Sequence, residues 1–275
     1  MFARMSSLLL VAALLGACAV SPTGRRQLSL ISEESAIAAS EEAYLAQMNE
    51  LGTAGKLVTD PAVTGRVDRI TSRLVAQAVM IRPETAQWEW SIEVIDEPMT
   101  VNAWCMAGGR MAVYTGLLQQ IQPTDDELAQ VMGHEISHAL ANHTVEKMSV
   151  AMATQAGVAV AGVFSEDNAG LIMGAAALAA QYAVALPNSR AAEAEADEIG
   201  IEIAAKAGYS PNAAVTLWEK MGAAGGEGPP QFMSTHPSPT NRQATLRELA
   251  PQMMAYYQAA RDPPSYPLQD VVPAR

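Results

Sequence analysis

Apolar and polar positions change period several times along the chain, and each change marks an element. Leu8 to Leu15 form an apolar run, behind one cation (Arg4) and ahead of small residues. Ser21-Pro22-Thr23-Gly24-Arg25-Arg26 is rich in turn formers. Ser32 stands as an N-cap for a helix reaching about Leu51. Asp60-Pro61 opens a second helix, with proline at the tolerated first position. Its stripe is Val63, Val67, Ile70, Leu74 and Val75, at helical spacing, and Arg82-Pro83 ends it. The period then falls to two: Trp88, Trp90, Ile92 and Val94 alternate with Glu89, Ser91 and Glu93, the pattern of a half-buried strand. Thr100 to Met106 and Arg110 to Thr115 read as two more strands around a Gly108-Gly109 hairpin turn. Thr124 with Glu127 forms a capping-box pattern, predicting a helix to about Lys147. Further helices are expected at about 189–207, 211–223 and 239–261, the last two opened by Ser210-Pro211 and Ser238-Pro239. Gly222 to Pro230 reads as a loop. Residues 262–275, which hold four prolines, read as a flexible tail.

Residues 148–189 carry only Glu166 and Asp167 as charges and divide into two Ala/Gly/Met-rich segments. They admit a membrane hairpin or a pair of close-packed soluble helices. Alanine contributes little to insertion, and Gln155, Gln181 and Tyr182 interrupt the runs, which favours the soluble pair.

Composition narrows the function. Of 275 residues, 49% are hydrophobic and 17% charged, so the chain buries a core and is not a disordered polyelectrolyte. A net charge of -12 argues against nucleic acid and against anionic headgroups held by a basic face. The two cysteines, Cys18 and Cys105, make no disulfide framework. Residues 1–17 have the n-region, short h-region and small-residue cleavage site of a signal peptide. Leu15-Gly16-Ala17-Cys18 resembles the lipobox of bacterial lipoproteins, which implies acylation of Cys18 after cleavage. Several acyl chains exceed the threshold for stable anchoring. The alternative is an ordinary signal peptide with a chance cysteine. Ala19, by the same resemblance, implies outer-membrane rather than inner-membrane sorting. Cys105 is left as a buried small hydrophobe. The expected organisation is a signal peptide (1–17), a lipidated tether (18–30), one domain (31–261) and the tail.

The chemistry concentrates in His134-Glu135-Ile136-Ser137-His138. On a helix, positions four apart share a face, so both imidazoles reach one metal. Imidazole suits zinc, whose catalytic sites keep one position open. Glu135 projects beside the pair, placed to take a proton from a zinc-activated water. A metzincin would need Gly at 141 and His at 144, where Ala141 and Thr144 stand. The third ligand is therefore sought as a carboxylate from a later helix. Glu193 and Asp197 are four apart and share a face, while Glu195 points away. Glu193 is assigned as ligand and Asp197 as the residue orienting a ligating histidine. Glu195, Glu198 and Glu202 fit a solvated acidic face.

Together, HEISHALANH, SRAAEAEAD, Asn102-Ala103-Trp104-Cys105-Met106-Ala107-Gly108-Gly109 and Ser234-Thr235-His236-Pro237 resemble the CAAX-prenyl protease/HtpX-type zinc metallopeptidases. Within them the chain is similar to the periplasmic lipoprotein branch of LoiP and the Oma-type proteases, over nearly all of residues 22–261. Ala107 departs from the proline expected before the paired glycines. No tetratricopeptide region follows, unlike the BepA branch. The resemblance implies an α+β, mostly helical gluzincin-type metalloprotease domain with a small β-sheet beside the HExxH helix. It implies one Zn2+ held by His134, His138 and Glu193, with Glu135 as catalytic base. It adds His236 as a switchable further ligand, which would cap the zinc at rest and withdraw for substrate. Arg242 is expected either to contact substrate or the developing oxyanion, or to be a helix-surface arginine. Asn102, Ala103 and Trp104 are expected on an exposed strand edge that pairs with an extended substrate. The expected function is hydrolysis of unfolded or misassembled envelope proteins at the periplasmic face of the outer membrane. Its alternative is a catalytically silent, metal-stabilised assembly factor. The oligomeric state is not encoded in any motif.

Overall fold

In the computed structural model the described residues are 18–163, 186–224, 232, 236 and 242–271. The apolar run of 8–15, the second Ala/Gly/Met segment from residue 164, the glycine-rich stretch 225–230, the Ser238-Pro239 helix start and residues 272–275 lie outside them.

Two helices follow their sequence signals closely. Helix α1 (Glu33–Thr53) is capped by Ser32, whose hydroxyl accepts from the Ser35 amide. Helix α2 (Pro61–Ile81) is capped by the Asp60 carboxylate, which accepts from the Ala62 amide. After a 3-10 turn (Pro83–Gln87), three strands form the main sheet: β3 (Ser91–Ile95), β4 (Ala103–Cys105) and β5 (Arg110–Tyr114). Their order is β3-β5-β4, with β3 parallel and β4 antiparallel to β5, so β4 is an edge. The β4–β5 turn is the expected one, with Gly108 at φ +87 and Gly109 at φ +84.

Strand β3 begins later than its alternation suggested. Trp90 closes the preceding turn by donating its indole N–H to the Thr85 carbonyl at 2.9 Å. The in-out alternation also fails, because both faces are covered. Val94 joins the core cluster of Val67 and Ile70, whereas Ile95 joins Tyr44 and Met48 of α1. A sheet buried on both faces loses the half-buried period.

Helix α3 (Asp125–Leu140) is the central element, and nearly all its side chains are buried. Its capping box is complete: Glu127 N–H donates to Thr124 Oγ1 at 3.2 Å, and Thr124 N–H to the Glu127 carboxylate at 2.8 Å. It stops at Leu140 instead of running to Lys147. Asn142 takes φ +55, a left-handed conformation that asparagine tolerates and that ends helices. A new helix, α4 (His143–Val163), starts directly after it. Helices α5 (Leu186–Lys206), α6 (Ala213–Ala224) and α7 (Arg242–Ala259) complete the body. Gly222, expected in a loop, lies inside α6.

Both ends of the described chain differ from expectation. Residues 18–30 are not a loose tether. Strands β1 (Cys18–Val20) and β2 (Arg26–Leu28) pair antiparallel, and Gln27 donates its side-chain amide to the Ala141 carbonyl at 2.6 Å. Residues 262–271, expected to fray, form an extended strap. The Tyr266 amide donates to Ser72 O at 2.9 Å and the Gln269 amide to Trp90 O at 2.7 Å. Tyr266 and Leu268 pack on the main core. The prolines that suggested disorder favour the extended backbone that such a strap requires.

The architecture is thus α+β and mostly helical, with a small sheet beside α3. Among the described residues, no helix is long and apolar enough to cross a membrane.

Candidate metal centre

Helix α3 presents His134 and His138 one turn apart, and α5 brings Glu193 against them. His236 closes the group, its amide donating to Phe232 O at 3.0 Å; the Phe232 amide in turn donates to Val101 O, beside β4, at 3.0 Å. One ligand atom from each of His134, His138, Glu193 and His236 lies within 4.8 Å of the others.

The spacing tests whether a cation fits. His134 Nε2 is 3.0 Å from His138 Nε2 and 3.3 Å from His236 Nδ1. The Glu193 carboxylate is 3.2 Å from His134 Nε2, 3.4 Å from His138 Nε2 and 3.2 Å from His236 Nδ1. Ligands about 2.0–2.2 Å from a tetrahedral zinc stand roughly 3.3–3.5 Å from one another. Three imidazole nitrogens and a carboxylate oxygen at such spacing have lone pairs converging on one point, an arrangement that a cation relieves. The residues present fit zinc.

Glu135, next on the helix, is buried, and its Oε1 makes no hydrogen bond among the described residues. It lies 3.4 Å from His236 Nε2, at ion-pair distance. Burial raises its carboxyl above the usual range, with the nearby imidazoles opposing. An acceptor oxygen left open beside the converging ligands is where a water held by a cation would donate.

A second layer fixes the ligands. His134 Nδ1 is 3.0 Å from Asp197 Oδ1. A carboxylate can only accept, so Nδ1 carries a proton and Nε2 is the nitrogen turned to the centre. Burial and the Arg242 charge push the His134 pKa down, but the bonds to Asp197 and Glu193 outweigh them and hold it up at about 9, so a cation at the centre competes with a second proton for Nε2. Burial and the His134 charge instead push His138 well down, leaving it neutral. Glu193 is held far below the usual carboxylate range: burial opposes this, and the hydrogen bonds from His134 and His236 prevail.

Arg242 fits neither of its expected descriptions. It is buried, not on the helix surface. Its guanidinium donates to Glu193 and Asp197 and lies 4.0 Å from the Trp218 ring centroid. Its Nη2 also stands 3.0 Å from His134 Nδ1 and 3.4 Å from Nε2, so Arg242 braces two carboxylates against that ring. Asn102, Ala103 and Trp104 lie at the edge strand β4, which packs on α3; the edge is less open than expected, because Asn102 and Ala103 are buried at 8% and 1% exposure and Trp104 is half-buried. The neighbouring Cys105 is buried, and burial together with the charge of Glu135 raises its thiol pKa.

Two residues of the site were missed from sequence. Glu195 does point away from Glu193, yet that face is not solvated. It is 4% exposed, under the β1–β2 hairpin. It receives Arg25 Nε at 2.6 Å and Thr23 Oγ1 at 2.6 Å, and stands 3.1 Å from His143 Nε2. His143, one residue before the metzincin position at 144, lies with its Nδ1 2.8 Å from His138 Nδ1. The signal available was the pairing of two arginines with a turn motif, which read as a tether.

Comparison with known proteins agrees with this centre. The chain is 33% identical over 232 residues to the mitochondrial metalloendopeptidase OMA1 of Schizosaccharomyces pombe, covering 84% of this chain and 65% of that protein. It is 32% identical over 257 residues to the human mitochondrial metalloendopeptidase OMA1, covering 89% of this chain and 48% of that one. It is 28% identical over 214 residues to the beta-barrel assembly-enhancing protease of Escherichia coli, covering 75% and 42%. The chain therefore spans less than two thirds of the length of each of these relatives. The sequence profile of peptidase family M48 matches residues 61–250, which hold α2 through the first half of α7 and every residue of the centre, and the chain belongs to that family.

Proposed function

We propose that this protein is a zinc-dependent endopeptidase with one Zn2+ held by His134, His138 and Glu193. The observation that carries the reading is the tetrahedral spacing of these ligands beside the open Oε1 of Glu135. When bound there, zinc supplies Lewis acidity, acidifying a water and polarising a carbonyl. Glu135 accepts the water's proton at Oε1 and returns it to the departing amine; its raised pKa suits both halves of that transfer. Asp197 keeps His134 in the ligating tautomer, and Arg242 holds Asp197 and Glu193 in place. His236 occupies a fourth position at rest and withdraws as substrate enters. Its ring stacks on Phe232, with centroids 4.6 Å apart, which gives it a resting place beside the centre.

Substrate lies along β4. In the β4–β5 ladder, Asn102 and Met106 bond to β5 through Tyr114 and Arg110, so Ala103 and Cys105 direct their backbone groups away from it. An extended segment added at that edge runs beside Glu135. This suits unfolded or misassembled proteins, whose backbones are free to pair. The name of the Escherichia coli relative, a beta-barrel assembly-enhancing protease, supports a role with proteins assembling in the envelope. The lipobox-like Leu15-Gly16-Ala17-Cys18 supports anchoring at Cys18 on the periplasmic face of the outer membrane.

Glu135→Gln is the decisive test. It should abolish cleavage of an unfolded reporter protein, by about a thousandfold or more, while zinc still binds stoichiometrically. Wild-type protein that binds zinc but cleaves no better than Glu135→Gln would favour a silent, metal-stabilised assembly factor. His236→Ala should change peptidase activity in either direction; unchanged activity removes it from the proposed switch.

A further inference from the structure

Both zinc-facing histidines of α3 have their outer nitrogen engaged, but by different means. His134 meets a carboxylate directly, as in many metal sites. His138 meets a second histidine, and the chain of contacts continues through Glu195 to Arg25 of the N-terminal hairpin. We propose that His143 and Glu195 are positioning residues for His138, and that Arg25 couples the docking of the N-terminal β1–β2 hairpin to the metal affinity of the centre. The inference rests on the metal-site reading above and adds to it a control element outside the ligand set.

The argument is one of forced proton positions. Arg25 donates Nε to Glu195 at 2.6 Å, and its two Nη groups to Glu146 at 2.8 and 2.6 Å. Glu195, an acceptor only, must receive a proton from His143 Nε2 at 3.1 Å. In neutral His143, Nδ1 is then an acceptor, so the contact of 2.8 Å to His138 requires His138 Nδ1 to donate. That fixes the His138 lone pair on Nε2, which faces His134 and Glu193. Each link determines the next, and the first is a residue of the hairpin.

The hairpin is built to be held there. Glu146 and Glu195 are each 3% exposed at the side chain, and Arg25 is 21% exposed. Two buried carboxylates close together require the arginine, and removing it leaves uncompensated charge. Gln27 bonds both Glu146 and the Ala141 carbonyl, next to the break between α3 and α4 that sets the start of the helix carrying His143. The left-handed Asn142 thus has a purpose. A helix continued straight past Leu140 would carry residue 143 around the α3 axis and not back to His138.

The test is the zinc dissociation constant, measured by competition with a chromophoric chelator on the full chain carrying Glu135→Gln to prevent self-cleavage. Melting of the metal-free protein is followed in parallel. His143→Ala and Glu195→Gln should weaken zinc binding by about 10- to 100-fold, and Arg25→Ala by about 10-fold. His143→Asn places an amide oxygen near the Nδ1 position but does not reach Glu195. It should retain most of the affinity and make Arg25→Ala nearly silent in the double variant, since the link between them is cut. If Arg25→Ala lowers the melting temperature of the metal-free protein but leaves the zinc constant unchanged, the hairpin is merely structural and the coupling is overturned. Equal effects of Arg25→Ala with and without the His143→Asn substitution overturn it too. Failure of the parent protein to bind zinc would instead overturn the metal-site reading, and this inference with it.

Discussion

Gly133 and Gly200 face each other at the crossing of α3 and α5, backbone against backbone. A Cβ on Gly200 would stand 2.9 Å from the His134 amide nitrogen and 3.0 Å from the Gly133 carbonyl carbon, and one on Gly133 would stand 2.9 Å from Gly200 O. These are main-chain atoms and cannot swing aside. The crossing is what lets Glu193 and Asp197, two turns and one turn before Gly200, reach His134 and His138.

Gly200→Ala should therefore damage the centre without touching a ligand. The added methyl forces the helices apart by several tenths of an ångström, and overpacking of this kind costs about 1–3 kcal/mol. Zinc affinity should fall by at least tenfold, because the carboxylates of α5 withdraw from both histidines together. Chelator competition and thermal melting check it. Gly65→Ala in α2 is the control: its Cβ meets nothing within 4 Å, and it should leave affinity unchanged.

The bracing role of Arg242 gives a prediction of a different form. Its side chain is 3% exposed between Glu193 and Asp197. Arg242→Met keeps much of the volume but leaves two buried carboxylates without their cation, a loss of about 3–5 kcal/mol. Zinc restores a positive charge to one of them. The variant should thus melt far below wild type in chelator and recover part of the difference when zinc is added. A deficit of equal size with and without zinc would show that the arginine does not share its carboxylates with the metal.

The residues that cluster at the centre were legible in the sequence because helical periodicity places them. His134 and His138 are four apart, as are Glu193 and Asp197, and each pair is read from one helix alone. The capping signals at Ser32, Asp60 and Thr124 were equally local. What escaped depended on tertiary cover. Glu195 was correctly turned away from the metal, but no local rule shows that a hairpin far from it in sequence buries it. The strap at 262–271 failed for the same reason, since proline reports backbone shape and not whether something receives it. Asn142 carried a signal for the helix break, but no glycine or proline stood beside it to mark the end.

Strand β4 yields a prediction about its two sides. Ala103 directs its amide away from β5, whereas Trp104 is paired with Ala112 of β5. Ala103→Pro spares the ladder bonds to β5 and should reduce cleavage of an unfolded substrate mainly through KM, by about tenfold, as one backbone donor to the substrate is lost. Trp104→Pro breaks the ladder and should lower the melting temperature and zinc binding as well. Equal peptidase activity for Ala103→Pro and wild type would place the substrate elsewhere.

The strap makes stability depend on pH through Glu93. This β3 carboxyl is half-buried, and burial, with the charge of Asp270 on the strap, pushes its pKa up to about 7. In the unfolded chain it titrates near the ordinary value of about 4.3. Between these values the folded protein holds a proton that the unfolded chain has lost. Its contribution is complete below about pH 4.3 and disappears as the pH rises through 7. Glu93→Gln should therefore be more stable than wild type at pH 8, by about 1 kcal/mol once partial exposure is discounted, or roughly 2–4 °C in Tm. That advantage should shrink steadily as the pH falls and vanish only below about pH 4.3. Asp270→Asn, which removes the smaller cause, should reproduce only part of it. Melting curves of the three proteins from pH 5 to pH 8 check the sign, and a variant whose advantage grew as the pH fell would show that Glu93 is stabilised as the anion.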